Sequence, residues 1–419
     1  MPRRTLRRAP FNARDTTQTH MTKTVIRLTP NKHDEALDLL DHCFEASRVW
    51  FETHQKADPN WDISQQFVIE DAQGLIGHIW IANREMRYGS GLIPIGGIAD
   101  VAVHSDHRHQ GNAAKLLDAA IDYMDTRQQS LSLLSTSFPE VYTKKGWHCI
   151  PTSRVVAEFP SGDIESAGGR VVRPFTPEDL PDVQAAYNSL VADRVGPLTR
   201  SDEYWLAMTT WLPTGRLGLD VYFDVLTHVN TVVGYSLTGL NNDSFYILDA
   251  GIEYEDLALP LLNTWRTRAK KRGVSKITGL VHPSSEIFNF LRKNASAELE
   301  ESNKLMVRLN SLKGALIAAT PELIRRRRRA APLPGPTFVL EVDGQAVRVE
   351  TPMADVIIGE PQGEETVVKM TASQFLNLFL GVDAQHEGLK QISAPPHIEV
   401  YLQRLFPDSP FSFWMADGF

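Results

Sequence analysis

Cysteine is nearly missing from this 419-residue chain, which holds only Cys43 and Cys149. Two thiols cannot build a disulfide framework or a four-thiolate zinc site, so no metal is expected and a reducing, cytoplasmic setting fits. No uninterrupted apolar run approaches the roughly 20 residues a helix needs to span a bilayer, so no membrane anchor is expected. An excess of positive charge is absent as well. Lys and Arg number 43 against 51 Asp and Glu, a formal net charge of −8, which disfavours a dedicated nucleic-acid binder and tilts toward a cationic small-molecule substrate. Residues 1–21 carry Arg3, Arg4, Arg7, Arg8 and Arg14 but lack the apolar stretch of a secretory signal. They read as a disordered arm or an over-extended start, with an Arg-rich transit peptide as the alternative.

What is present is enough chain for about three domains at roughly 150 residues each. Two segments begin alike: Ile26-Arg27-Leu28-Thr29-Pro30 leads into the helical spacing Ala36, Leu37, Leu39, Leu40, and Val172-Arg173-Pro174-Phe175-Thr176-Pro177 leads into Leu180, Val183, Ala186. Each reads as a strand, a Thr cap and a helix. Leu75–Trp80 is echoed by Val232–Leu237 in strand-like alternation, so a duplicated α/β unit is expected over 22–165 and 166–310. Within the first unit the pattern predicts strands near 24–29, 66–70, 75–88, 92–104 and 130–136. A hairpin turn falls at Tyr88-Gly89-Ser90-Gly91, and a long helix runs from about Gly111 to Arg127. After about residue 310 come the run Arg325–Arg329, a Pro-rich hinge, strand-like Thr337–Val342 and Val347–Glu350, and a helical pattern around Ser373–Leu380. The fold class is therefore α/β (α+β): two tandem mixed-sheet units and an α+β domain over 311–419. The Arg run reads as a solvated or interdomain face before it reads as a phosphate grip.

The chemistry-bearing stretch is Val101-Ala102-Val103, then a turn, then Arg108-His109-Gln110-Gly111-Asn112-Ala113 opening the long helix. Such a turn aims backbone N–H groups and the positive end of a helix dipole at one spot, which is how a protein holds a pyrophosphate. Gly111 lets the backbone approach, and Ala113 keeps the next helical turn from blocking it. Just past the following strand stands Val141-Tyr142-Thr143-Lys144-Lys145-Gly146-Trp147. Acyl transfer from a thioester to an amine expels a thiolate; a thiol titrates near 8.5 and a tyrosine near 10, so a phenol beside the sulfur can serve as general acid. Tyr142 is that candidate. The strand edge at Val101 and Val103 would offer main-chain groups to the thioester arm, and the flanking Asp100 and His104 are alternative bases.

The R-x-x-G-x-A spacing after a V-x-V strand, followed by Y-x-x-x-G-aromatic, resembles the GNAT acetyltransferase superfamily. In the second unit the corresponding stretch Leu248–Asp256 has no R-x-x-G and carries Glu253, Glu255 and Asp256 where phosphates would dock, so one active and one degenerate copy are expected. The whole layout, with its apolar tail ending in Phe419, resembles the Eis (enhanced intracellular survival) acetyltransferases. That resemblance implies acetyl-CoA as co-substrate, a sterol-carrier-protein-like third domain, a homo-hexamer, and aminoglycoside-like polyamine acceptors. It also implies that the α-carboxylate of Phe419 returns to the active cleft to bind and deprotonate the amine. A free α-carboxyl near 3.5 is poorly matched to an ammonium near 10, so attraction and relay through water is the safer role. Lys144-Lys145 and His109-Gln110 depart from the usual pattern of the family. Asp41, Glu45 and Glu52 are candidate liners of an amine cleft, against plain helix-surface charge. Other acceptors, a protein lysine or a linear polyamine, stay open. So does a lipid-binding protein with inactive transferase units.

Overall fold

A computed structural model describes residues 24–44, 48–72, 74–162, 169–215, 218–252, 258–302, 304–329, 334–382, 392–408 and 411–418. The expected N-terminal arm, Glu45, the acidic residues 253–256 of the second unit and Phe419 lie outside the described residues. Among those described, no helix is long and apolar enough to cross a membrane.

The first part of the chain runs β1 (Val25–Arg27), α1 (His33–Phe44), α2 (Arg48–Ala57), β2 (Gln66–Asp71), β3 (Gly74–Tyr88), β4 (Gly91–Val103), α3 (Asn112–Thr126), β5 (Leu131–Ser135), α4 (Pro139–Thr143) and β6 (His148–Cys149). The middle runs β7 (Thr152–Glu158), β8 (Arg170–Pro174), α5 (Leu180–Val191), β9 (Val195–Leu198), α6 (Asp202–Trp211), β10 (Asp220–His228), β11 (Thr231–Leu240), β12 (Phe245–Ile252), α7 (Ala258–Lys271), β13 (Lys276–Leu280), α8 (Glu286–Asn294), β14 (Glu298–Ser302) and β15 (Leu305–Leu309). The last part is α9 (Leu312–Arg329), β16 (Thr337–Val342), β17 (Gln345–Glu350), β18 (Ile357–Gly359), β19 (Thr366–Met370), α10 (Ala372–Leu380) and α11 (Pro396–Leu405).

Three mixed sheets result. The first has the order β1-β2-β3-β4-β5-β15-β6 with β9 added on β3, and the second β14-β7-β13-β12-β11-β10-β8. Read from opposite ends, the two orders are the same in sense at every step: antiparallel three times, parallel once between β4 and β5 or β12 and β13, then antiparallel twice. β3 and β11, which carry the echoed hydrophobic runs, hold the same place in each. The expected divisions at 165 and 310 are crossed by the sheets: β7 already belongs to the second, while β15 returns to the first. Of the two expected Thr caps, Thr176 forms a capping box with Asp179, whereas Thr29 makes no side-chain cap.

Alternation on β2 to β4 splits the first sheet's faces. Ile69, Ile79, Ile81 and Ile98 pack against Leu116, Leu117, Ala120 and Met124 of α3 on one side. Ala102 packs against Leu37, Leu40 and Phe51 of α1 and α2 on the other. The third sheet, β18-β17-β16-β19, shares one continuous core with the far end of the first: Met86, Tyr88, Ile93 and Val307 pack with Leu316, Phe338 and Phe379. The Arg run lies in that junction. Arg327 is fully buried, Arg326 nearly so, and Arg325 pairs with Asp193 at 2.8 Å. It forms an interdomain seam.

Candidate active site

The parallel ladder joining β4 to β5 covers only Ile95–Gly97 against Leu131–Leu133, although both strands run on. Past Gly97, β4 therefore keeps its β3 partner on one side and leaves its other edge open toward β5. A bulge between the pairs His78↔Ala102 and Trp80↔Ala99 re-aims that stretch. Asp100 sits in it at φ +52, and its carbonyl meets His78 Nδ1 at 2.9 Å. Asp100 is buried, a place that makes it part of the bulge rather than a solvent-facing base.

β4 ends at Val103 and the chain enters a 3-10 turn, Ser105–His107, braced from within. His104 Nδ1 accepts from the Asp106 amide at 3.4 Å, and its ring stacks on His42 with centroids 4.8 Å apart. His104 is thus a turn cap. Gln110 donates to the Asp106 carbonyl at 3.0 Å, and buried Asn112 donates to the His107 carbonyl at 2.9 Å. Arg108 Nε donates to the Val103 carbonyl at 3.1 Å, which fixes the exposed guanidinium beside the strand end.

His109 and Gly111 both take left-handed backbone, φ +60 and +78, so the chain curls into a concavity before α3. The α3 ladder starts with Lys115 N to Gly111 O at 3.1 Å, so the amides of Asn112, Ala113 and Ala114 precede it and, as at any helix start, have no carbonyl one turn back within the helix. A Cβ built on Gly111 meets nothing within 4 Å. The concavity opens onto space, as a diphosphate seat requires. Gly111→Val would force a β-branched residue into that left-handed conformation and place its methyls in the seat. That conformation costs such a residue about 1–2 kcal/mol, which the free turn escapes by relaxing, so acetyl-CoA affinity is expected to fall about 5–30-fold, measured by titration calorimetry.

Tyr142 lies on α4, half-buried against the same cluster as Val101, Val103, Leu116 and Leu117, 6.3 Å from the Trp147 ring. The segment following it is tied to α3 by Lys145 Nζ to Asp118 Oδ1 at 2.5 Å, while Arg308 Nε on β15 donates to the Lys145 carbonyl at 3.0 Å. One of the two lysines that depart from the family pattern is therefore a brace between α4 and α3. Burial pushes the Tyr142 phenol up to about 12, with a hydrogen bond from Thr136 pulling the other way. That value undoes the expected match to a thiol: complete proton transfer to a thiolate of pKa near 8.5 would run uphill by about 5 kcal/mol. Tyr142 is better suited to hold a hydrogen bond on sulfur than to surrender its proton.

The acidic candidates fare differently. Asp41 Oδ1 accepts the Arg48 amide at 2.7 Å, and Glu52 pairs with Lys56 on the exposed face of α2 at 2.5 Å. Both are engaged in holding α2. Composition missed the buried group behind them, where Arg84 on β3 pairs with Asp58 and lies over the rings of Tyr204 and Trp80 at 5.3 and 6.0 Å. His54 is enclosed beside them, its ring 4.8 Å from Trp211, and burial depresses it to about 4 against the pull of Asp58. It stays neutral. A lone His in an aromatic stretch gave no signal of this.

Residues 24–150 match the acetyltransferase (GNAT) domain family. No curated protein matches the sequence. Solved structures share the fold of nearly the whole chain. A GCN5-related N-acetyltransferase from Anabaena variabilis is 17% identical with a TM-score of 0.70, the likeness covering 94% of this chain and 100% of that one. One from Kribbella flavida is 15% identical at 0.71, covering 94% and 98%. Eis1 from Mycobacterium abscessus is 14% identical at 0.64, covering 94% and 100%. Identities this low carry the fold and nothing finer. Residues 24–150 thus carry the pattern of an acetyltransferase (GNAT) domain, on a fold the chain shares with solved N-acetyltransferases.

Proposed function

We propose that the chain transfers the acetyl group of acetyl-CoA to a primary amine of a polycationic small molecule of the aminoglycoside type, by direct attack and without a covalent enzyme intermediate. The observation that carries this reading is the left-handed turn His109–Gly111 at the head of α3, open to space and braced to the element that bears Tyr142. Acetyl-CoA supplies an activated thioester. The amides from Asn112 to Ala114, with Arg108 beside them, would hold its diphosphate, and the open edge of β4 at Val101–Val103 would hold its arm and polarise the carbonyl. The amine nitrogen forms the new C–N bond as the C–S bond breaks, the nitrogen loses a proton to water, and Tyr142 steadies the departing sulfur.

The acceptor class follows the net negative charge of the chain and the resemblance of its motifs and layout to the Eis acetyltransferases. By the same resemblance the second sheet would be a degenerate copy, the third domain sterol-carrier-like and the assembly a hexamer, with Phe419 offering its carboxylate to the amine. Thiol release from acetyl-CoA should be measured with an aminoglycoside, spermine and a lysine peptide in parallel. The expected order puts the aminoglycoside first by at least about tenfold in kcat/KM. Preference for the peptide would transfer the reading to protein lysines, and no turnover with any amine would overturn it.

A further inference from the structure

The second sheet repeats the opening of the first. Its parallel ladder covers only Phe245–Ile247 against Ile277–Gly279, and β12 runs on to Ile252 behind a bulge between Leu237↔Asp249 and Thr238↔Ile247. In the first sheet the corresponding opening lies beside Tyr142. In the second it is taken by the chain's own tail: the 3-10 turn Met415–Asp417 packs on β12, and Trp414 and Ala416 join the second core.

One buried side chain ties this tail to the cleft. Arg200, its side chain fully buried just before α6, donates Nε and one terminal nitrogen to the two oxygens of Asp417, both at 2.8 Å, and its other terminal nitrogen to Asp249 at 2.5 Å. The guanidinium lies over Tyr187 and Trp205 at 4.3 and 4.4 Å, and the Tyr235 hydroxyl donates to Asp249 at 3.1 Å. Neither aspartate is accessible to water. A cation bridging two carboxylates, one on the cleft strand and one two residues from the chain end, pins the Met415–Asp417 turn to β12.

The same tail also touches the first sheet. Phe411 bridges Val195 of β9 in parallel, and the Ser412 amide donates to the Val195 carbonyl at 2.8 Å. The approach is close enough that a Cβ on Gly196 would stand 2.3 Å from the Ser412 carbonyl oxygen. β9 is hydrogen-bonded to β3, and Tyr204 of α6 meets Arg84 of β3. Residues 411–418 therefore run from β9, at the Met86–Tyr88 end of the first sheet, into the opening of the second.

We propose that Arg200, clamped between Asp249 and Asp417, is a positioning residue for the acetyl transfer: it seats the tail in the opening of the second sheet, next to α6, whose Tyr204 ring lies under Arg84 of β3, and so steadies β3 from that side. The proposal rests on the acetyltransferase reading, and it also assigns the second sheet a use, as a dock for the chain end in place of a coenzyme. Burial pushes Asp249 up to about 6, against the pull of Arg200, in keeping with a group that holds more negative than positive charge.

The test uses the full chain with Asp417→Asn and, as a second variant, the chain ended at Ala416. Three readouts are taken on each: release of terminal residues by carboxypeptidase, acetyl-CoA affinity by calorimetry, and steady-state kinetics with the amine. Asp417→Asn is expected to speed release of the tail at least tenfold and to lower kcat/KM for the amine about 10–100-fold, with acetyl-CoA affinity unchanged. The shortened chain should show the same kinetic split. Faster release with unaltered amine kinetics would overturn the positioning role, and unaltered release would overturn the clamp. Failure of the parent chain to bind acetyl-CoA would strike the acetyltransferase reading instead, and the release assay would still report on the clamp.

Discussion

Replacing Tyr142 by phenylalanine is expected to lower kcat by about 10²–10³-fold, the usual loss for one hydrogen bond to developing charge, while acetyl-CoA affinity stays within about twofold. The ring remains packed against Trp147 and the α3 stripe, so the loss is confined to the hydroxyl. The pH dependence carries a second signature. Burial holds the phenol at about 12, so its protonated form persists across the whole working range. The rate should rise as the acceptor ammonium loses its proton and then stay level, with no fall until the pH nears the phenol's own value. An alkaline fall near pH 9 in the parent chain that vanishes in Tyr142→Phe would contradict the buried phenol.

Glu322→Leu is expected to cost about 3–5 kcal/mol of stability, the usual result of removing one member of a buried ion pair. Glu322 on α9 accepts from the Ser90 amide and hydroxyl at 3.1 Å, from Arg325 at 2.7 Å and from buried Arg326 at 2.8 Å. Arg326 in turn donates to the Tyr88 hydroxyl at 3.2 Å and the Leu405 carbonyl at 2.9 Å. The substitution leaves that guanidinium without its carboxylate between the first sheet and the third domain. Burial alone would raise the Glu322 carboxyl, but hydrogen bonds from Arg325, the Ser90 amide and Arg326 hold it down at about 2. Its folded value lies below its unfolded one, so the stabilisation is complete above about pH 4.5 and drains away as pH falls toward 2, a total of about 3 kcal/mol. The gap between parent and variant in denaturant melts should therefore narrow by about 2 kcal/mol from pH 7 to pH 3; an equal gap at both would disprove the carboxylate's role.

The parts of this protein that could be read from sequence are those written in local periodicity. The alternation from Leu75 to Val103 broken at Tyr88-Gly89-Ser90-Gly91, and the stripe Leu117, Ala120, Met124, located β3, β4, their turn and α3 to within a residue or two. The turn at the head of α3 was legible as a turn because its demand is local, a glycine ahead of a helix, and the structure adds that Gly111 is left-handed. The Arg run looked ambiguous because charge does not say what lies opposite. Its partners, Tyr88 and Leu405, come from positions 238 and 79 residues away. Arg200 and Asp417 stand 217 residues apart, and the Tyr142 hydroxyl owes its raised pKa to burial that no spacing records. Strand exchange was hidden for a related reason. β7 and β15 look like any short apolar run, and which sheet each joins is decided by edges exposed elsewhere in the chain.

That exchange bears on how the protein can be divided. β5 is covered on its outer edge by β15, which arrives only after the entire second sheet has been made. A fragment stopping at residue 150 would keep the His109–Gly111 turn and Tyr142 yet leave the Leu131–Ser135 edge with its N–H and C=O groups unpaired, an invitation to pair with a neighbouring molecule. During synthesis the first unit would wait, unfinished, for a strand encoded some 150 residues downstream, so its completion is coupled to the folding of everything between.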